Sequence, residues 1–178
     1  MWGPTRRYPV ETRSPFFRPS PEAEVSFLTE LPIDLAELLA EVAEPDHGGI
    51  ATFLGTVRNH HRGRGVLRLE YSAYTPMAEA ECARIAAEAA ARWSVAVALR
   101  HRIGRLEVGD VAVAIAVASA HRDEAFVGCR YAIEEVKRRV PIWKQEFYSD
   151  GTVAWVDPTR VEKSGIAEGV GHGGWSAG

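Results

Sequence analysis

The sequence predicts a single α+β domain with a mixed or antiparallel sheet and flanking helices. Segments of strand length alternate with amphipathic segments in no regular order, and glycine-containing connections between strands favour hairpins. The size agrees, since 178 residues fit one domain and the content of 46% hydrophobic and 25% charged residues is typical of a globular protein. The predicted strands cover residues 50–57, 66–74, 95–101, 111–118 and 152–156.

Three segments have the apolar spacing of amphipathic helices. Asp34 is the predicted N-cap of the first helix, because its carboxylate can accept a hydrogen bond from a free N–H group of the opening turn. Pro76 suits the first turn of the second helix, whose apolar face continues to Trp93. The third helix should stop near Val140, since Pro141 disfavours helical geometry in the residue before it.

The two ends of the chain differ in composition from its centre. Residues 1–23 contain five prolines and scattered arginines, which predicts a flexible extension. Residues 161–178 are rich in glycine and are predicted to form a flexible tail. The folded unit should therefore comprise residues 24–160.

Composition and charge argue against several classes of protein. A net charge of -3 is unlike the strongly basic balance of a general nucleic-acid binder. Cys82 and Cys129 fall on apolar helix stripes and have no zinc-like spacing, so neither a disulfide framework nor a metal centre is expected. No apolar run reaches the roughly 20 residues that span a membrane, and no secretion signal is evident. We expect a cytoplasmic protein without a resident metal or cofactor.

The junction between the fourth predicted strand and the third helix is a candidate anion site. Ser119 is placed to cap the helix, and His121 and Arg122 add side-chain donors beside its free N–H groups. The alternative is that these are ordinary surface residues of a first helical turn. Spacing alone favours neither interpretation.

Lys137 and Lys144 form a second candidate site around an apolar turn, Pro141-Ile142-Trp143. A lysine beside apolar side chains and other cations loses its proton more readily than a solvated one, which suits a nucleophile or a base. Most lysines are solvated surface charges, so the spacing of these two gives the functional interpretation only modest support.

The loop after the first strand is a third candidate site. Arg58 could bind phosphate in bidentate fashion, because the guanidinium geometry matches that of the anion. The adjacent His60 and His61 invite a metal interpretation, but no further ligand stands at a suitable spacing. Solvated loop histidines are the preferred interpretation.

Five segments together resemble, in order, the signature segments of molybdopterin synthase large subunits, the MoaE family. They are residues 49–60, 69–71, 101–104, 119–122 and 137–146. The resemblance covers nearly the whole predicted folded unit. It implies an α/β-hammerhead fold and an enzyme that transfers sulfur to cyclic pyranopterin monophosphate, forming the dithiolene of molybdopterin.

The resemblance also implies partners and site residues. The large subunits would pair as a homodimer, and each would bind a small ubiquitin-like sulfur-carrier subunit, giving a heterotetramer. The carrier's C-terminal Gly-Gly thiocarboxylate would enter the active site. Lys137 and Lys144 match the catalytic lysines; Gln145 matches a substrate contact but replaces a basic residue of many relatives. The substrate contacts implied are Thr56, Val57, Arg58, His121, Arg122, Gln145 and Glu146.

The residue-level interpretation and the resemblance lead to one hypothesis. Lys137 acts as base or nucleophile, while Lys144 orients the substrate and stabilises charge. The main alternative is a non-catalytic anion-binding or scaffold protein of the same fold, which would not need both lysines. An RNA-binding module is disfavoured because residues 58–65 carry no aromatic side chain for stacking. A metal-dependent hydrolase is the weakest option, since no ligand set is evident.

Overall fold

The computed structural model describes residues 26–156, and the predicted extension 1–23 and tail 161–178 lie outside this range. Strands and helices alternate irregularly along the described chain. They are β1 (Leu28–Thr29), α1 (Leu35–Val42), β2 (Gly49–Thr56), β3 (His60–His61), β4 (Arg64–Ala73), α2 (Thr75–Trp93), β5 (Ala96–Arg102), β6 (Gly104–Glu107), β7 (Val111–Ser119), α3 (Arg122–Arg139), β8 (Ile142–Tyr148) and β9 (Val153–Val156).

The first sheet has the strand order β1-β5-β7-β2. Its pairs are antiparallel except for the parallel pair of β1 with β5. β7 lies in the interior of this sheet, and its side chains alternate between two apolar clusters. Val113, Ile115 and Val117 pack in the main core with residues of α2 and α3. The alternate positions are alanines, which pack against Leu38 and Val42 of α1.

The second sheet has the order β3-β4-β8-β9, with β6 also paired to β4. All of its pairs are antiparallel, so the sheets are mixed and antiparallel in an α+β domain as predicted. Its own core cluster includes Val57, Leu69, Leu106 and Tyr148. Tyr71 of β4 packs against both this cluster and the main core. That position is where the two sheets meet.

The helix boundaries follow the local signals in the sequence. An Asp34 carboxylate oxygen accepts a hydrogen bond from the backbone N–H of Ala36 at 2.8 Å, as an N-cap should. α3 ends at Arg139, and Val140 before the proline has extended geometry. Cys82 and Cys129 are buried in the main core, confirming their predicted positions. Within the described residues, no helix is long and apolar enough to cross a membrane.

Three local predictions, the Ser119 cap and the turns at residues 103–110 and 141–143, were wrong or incomplete. Ser119 does not cap α3: it is the buried last residue of β7, and His121 holds the N-cap position without a side-chain bond. The connection between β5 and β7 contains a further strand, β6, because its backbone pairs with β4. The segment after Pro141 is likewise a strand, β8, and not only a turn.

Candidate active site

A cavity of about 830 Å³ opens where the second sheet meets the C-terminal half of α3. This volume lies within the range of small-molecule sites. Its walls come from the end of β2 and the following loop, from β4, β5, α3, β8 and β9, and from the start of β7. The cavity brings together five of the predicted site residues, of which Glu146 is buried. They are Arg58, Thr56, Lys137, Lys144 and Glu146.

The inner face of β8 supplies the polar wall of this cavity. Because side chains alternate along a strand, Lys144, Glu146 and Tyr148 face the cavity while Trp143 and Gln145 alternate with them. Glu146 is 2% exposed and would be unstable there without partners. The Lys144 ammonium donates to Glu146 Oε1 at 2.8 Å, and the Tyr148 hydroxyl donates to Oε2 at 2.7 Å.

His61 completes the shell of donors around Glu146. Its ring Nδ1 lies 2.7 Å from Glu146 Oε2, and its side chain is largely shielded from solvent. The expectation that His60 and His61 are both solvated loop residues is therefore correct only for His60, whose ring bonds to Asn59 at an exposed position. His61 belongs to the cavity wall because β3 pairs with β4 and brings it beside β8.

Burial acts to raise the pKa of Glu146, but the hydrogen bonds from Lys144, Tyr148 and His61 lower it by more. The net pKa of Glu146 lies below its ordinary value, so the carboxylate stays charged at neutral pH. The same burial, together with the negative charge of Glu146, raises the pKa of the Tyr148 phenol. The β8 wall therefore holds a fixed anion that is surrounded by donors.

Lys137 lines the cavity from another element, the last turn of α3. The residue is exposed, and its ammonium lies 5.9 Å from the centre of the Phe53 ring. No carboxylate of the described residues pairs with it. Apolar side chains of α3 and of the turn after it lie beside it on the cavity wall: Ile133, Val136 and Val140.

The loop between β2 and β4 forms the mouth of the cavity. Arg58 is exposed and lies two residues after the end of β2. Arg62 and Gly63 adopt positive φ angles of 50° and 75°, which closes the tight turn between β3 and β4. Arg64 then stacks on the Tyr148 ring, 3.5 Å from its centre, and bonds to Asp150. The mouth is therefore rich in guanidinium groups.

His121 and Arg122 lie elsewhere, in a separate shallow depression at the N-terminus of α3. The β2–β7 register pairs Gly49 with Ser119 at one end and Thr56 with Val111 at the other. His121 follows the first pair and Arg58 follows the second. Seven residues of strand separate these ends by roughly 23 Å. One phosphate cannot contact both groups within a single chain.

Two further predicted contact residues do not line the cavity. Val57 is 3% exposed, and its N–H and C=O groups bond to the backbone of Asp110 and Gly109. Gln145 alternates with the cavity-facing residues of β8 and pairs with Glu70 and Trp155 in the sheet. Direct substrate contacts by these two residues stay predictions.

A profile of the MoaE protein family matches residues 28–139. The molybdopterin synthase catalytic subunit of Halalkalibacterium halodurans is 46% identical over 80% of this chain and 91% of its own length. The chain belongs to the MoaE family. The catalytic subunit from Bacillus subtilis is also 46% identical, over 70% of this chain and 80% of its own. A crystal structure of molybdopterin synthase from Staphylococcus aureus matches with TM-score 0.72 and 36% identity, covering 76% and 98% of the two chains.

In this MoaE family member, two cavity residues escaped prediction from the sequence as site residues. His101 on β5 is 8% exposed, and its ring Nδ1 lies 2.9 Å from the backbone carbonyl of Arg102. Burial foremost, with a contribution from the Lys137 charge, lowers the pKa of His101 to about 4. Tyr71 on β4 meets the His101 ring edge to face, with ring centres 5.2 Å apart. Both residues lie in segments of the resemblance, 69–71 and 101–104, and that was the available signal.

No group of three or more His, Cys, Asp or Glu side chains within residues 26–156 is arranged to hold a metal ion. Each histidine of the cavity uses its ring Nδ1 to bond to a different partner. His61 bonds to Glu146, His60 bonds to Asn59 and His101 bonds to the Arg102 carbonyl. The chemistry that this arrangement supports is binding of an anionic small molecule next to groups that can move protons.

Proposed function

We propose that this chain is the catalytic subunit of a molybdopterin synthase. It would transfer sulfur from a thiocarboxylated carrier subunit to cyclic pyranopterin monophosphate, giving the dithiolene of molybdopterin. The observation that carries the proposal is the convergence of Lys137, Lys144 and Arg58 on one cavity of a MoaE-family chain. The names of its relatives and the volume of the cavity support the same conclusion.

The proposed roles follow from the surroundings of each group. Arg58 at the mouth suits the substrate phosphate, because a guanidinium binds phosphate through paired hydrogen bonds. Lys144, held by Glu146, supplies a fixed positive charge for the anion that develops during sulfur transfer. Lys137 acts as base or nucleophile, because no carboxylate of residues 26–156 holds its ammonium. As the carrier sulfur becomes bonded to a pterin carbon, its bond to the carrier's acyl carbon is cleaved by water, so the spent carrier ends in a carboxylate.

The proposed partner is a small ubiquitin-like protein with a C-terminal Gly-Gly thiocarboxylate. A glycine tail has no side chains, and the proposal is that it enters the cavity of about 830 Å³ beside the pterin. The proposal also includes a homodimer at the centre of a heterotetramer. Because His121 and Arg122 lie at the far end of β2 from Arg58, they would reach the same substrate only across such a dimer.

The decisive experiment is reconstitution of the reaction. The purified chain is mixed with thiocarboxylated carrier and the cyclic pterin, and the dithiolene product is measured beside the Lys137→Ala variant. We expect product from the wild type and none above background from the variant, with equal carrier binding by both. Carrier binding without product from the wild type would favour a non-catalytic anion-binding protein of the same fold.

A further inference from the structure

The floor of the cavity contains a polar nitrogen that has no hydrogen-bond partner within residues 26–156. His101 is more than nine-tenths buried, and its Nδ1 bonds to the Arg102 carbonyl at 2.9 Å. A carbonyl oxygen can only accept, so Nδ1 carries the proton. Nε2, at the opposite edge of the ring, has no hydrogen-bond partner among the described residues, although His101 lines the cavity.

The protonation state of this ring follows from its surroundings. Burial, and after it the Lys137 charge, lowers the pKa of His101 to about 4, with the Arg102 bond acting in the opposite direction. The imidazole is therefore neutral at physiological pH, and Nε2 keeps its lone pair. Such a nitrogen is a hydrogen-bond acceptor.

Tyr71 supplies the complementary donor beside it. Its ring centre lies 5.2 Å from that of His101, and it lines the same cavity. Burial, followed by the charge of Glu146, raises the pKa of the Tyr71 phenol to about 12, so the hydroxyl keeps its proton. No described residue accepts a hydrogen bond from it. The floor thus offers one acceptor and one donor on adjoining rings.

Several other polar groups line this cavity. Arg58, Lys137 and Lys144 can only donate, whereas His60 and His61 each use Nδ1 to bond to a neighbouring side chain. The Glu146 carboxylate can accept, but Oε1 is already bonded to Lys144, and Oε2 is bonded to His61 and Tyr148. His61 is accompanied by Tyr148, whose hydroxyl already donates to Glu146. His101 beside Tyr71 is therefore the pair of cavity rings that offers an acceptor together with an unused donor.

We propose that His101 and Tyr71 recognise the cyclic amide edge of the substrate ring. His101 Nε2 accepts from the ring N–H, and the Tyr71 hydroxyl donates to the neighbouring ring carbonyl. A pterin carries this N–H and C=O pair on its pyrimidinone ring. The inference rests on the proposed function for the identity of the ring, and it makes these two residues positioning and specificity residues for the pterin.

The test compares two ligands against matched variants of the full-length chain. The ligands are 6-hydroxymethylpterin phosphate and its N3-methyl derivative, in which the ring N–H is absent. His101→Asn keeps an amide near the position of Nδ1 but lacks an acceptor at Nε2, whereas His101→Gln can place one there. Tyr71→Phe removes only the hydroxyl. Affinity is measured by calorimetry, and folding of each variant is checked by thermal unfolding.

We expect methylation to weaken binding to the wild type by roughly fivefold to tenfold, the contribution of one hydrogen bond. His101→Asn should lose this discrimination, and His101→Gln should retain most of it. Tyr71→Phe should weaken both ligands and still discriminate between them. These results would not follow from a merely structural role of the histidine.

Equal binding of the two ligands to the wild type would overturn the inference without any variant. Full discrimination by a folded His101→Asn protein would also overturn it. If the wild type binds the pterin phosphate and forms product but ignores methylation, the proposed function stands and this inference fails. If it binds neither ligand and forms no product from the cyclic pterin, the proposed function fails as well.

Discussion

Lys137 and Lys144 line one cavity from two different elements, α3 and β8, and their surroundings differ in charge and exposure. Lys144 lies on β8 with its side chain 24% exposed, and its ammonium is 2.8 Å from a buried carboxylate. Lys137 lies on the exposed last turn of α3, where no carboxylate of the described chain binds it. The carboxylate holds the Lys144 ammonium in place, whereas the Lys137 ammonium has no such partner within residues 26–156 and is available to a bound substrate.

The two lysines also differ in how firmly the backbone that carries them is held. Lys144 belongs to a strand with partners on both sides, β4 and β9, so its backbone is held by two ladders of hydrogen bonds. Lys137 is near the end of a helix, where a cation is favoured by the helix dipole but the side chain is less restrained. A rigid wall suits charge stabilisation, and a mobile side chain suits proton transfer or attack.

The largest expected effect comes from exchanging each lysine for arginine. Arginine keeps the positive charge but cannot lose its proton, so Lys137→Arg should lower turnover by about 100-fold or more. Lys144→Arg retains a cation for Glu146 and should stay within about tenfold of the wild type. Single-turnover measurement of dithiolene product compares the two. Similar losses in both variants would remove the distinction between a proton-transferring lysine and a fixed charge.

The next effect tests whether the β8 wall depends on Glu146. Glu146→Gln removes the charge that holds Lys144 and leaves His61 with a neutral amide. Hydrogen bonds to charged groups contribute about 1.5–3 kcal/mol, so turnover should fall by roughly tenfold to 100-fold. Adding Glu146→Gln to Lys144→Ala should cost less than adding it to the wild type, because the pair acts as a unit. Additive losses would show that Glu146 does not act through Lys144.

The sequence predicted the α3 wall better than the β8 wall. The apolar spacing of α3 and the position of Pro141 located the end of the helix, and with it the position of Lys137. In β8 the inner positions Lys144 and Glu146 are charged because they face a cavity. The alternation of apolar and polar residues that reveals a strand is therefore absent, and the segment was interpreted as a turn.

Contacts between distant parts of the chain explain the remaining differences. His61 looked like a solvated loop residue because its partner, Glu146, is 85 positions away in the sequence. The location of His121 and Arg122 outside the cavity depends on the β2–β7 register, which the motifs alone do not contain. The buried state of His101 likewise depends on packing between two sheets. Local patterns predicted these residue types but not their neighbours.

A smaller effect should follow from loss of a single donor to Glu146. Tyr148→Phe removes one of its hydrogen bonds and leaves the bonds from Lys144 and His61 in place. Turnover should fall by roughly twofold to fivefold, because the two remaining donors keep most of the stabilisation of the carboxylate. Tyr131→Phe is the matched control, because that hydroxyl donates to Glu88 at the α2–α3 contact, outside the cavity. An equal decrease in both variants would indicate a general loss of stability.

The smallest effect concerns stability in acid. The pKa of Glu146 is lowered in the folded chain, so its stabilising contribution is complete above the unfolded value of about 4.3 and is lost as pH falls through the folded value. The wild type should therefore lose more stability between about pH 5 and pH 3 than Glu146→Gln, measured by urea unfolding. Glu88 and Asp150 also have pKa values lowered to about 2, but both variants share them and their contribution cancels. An equal loss of unfolding free energy in the two proteins would mean that the donors around Glu146 do not stabilise its charged form. Glu146 would then not act as the fixed counter-charge of Lys144.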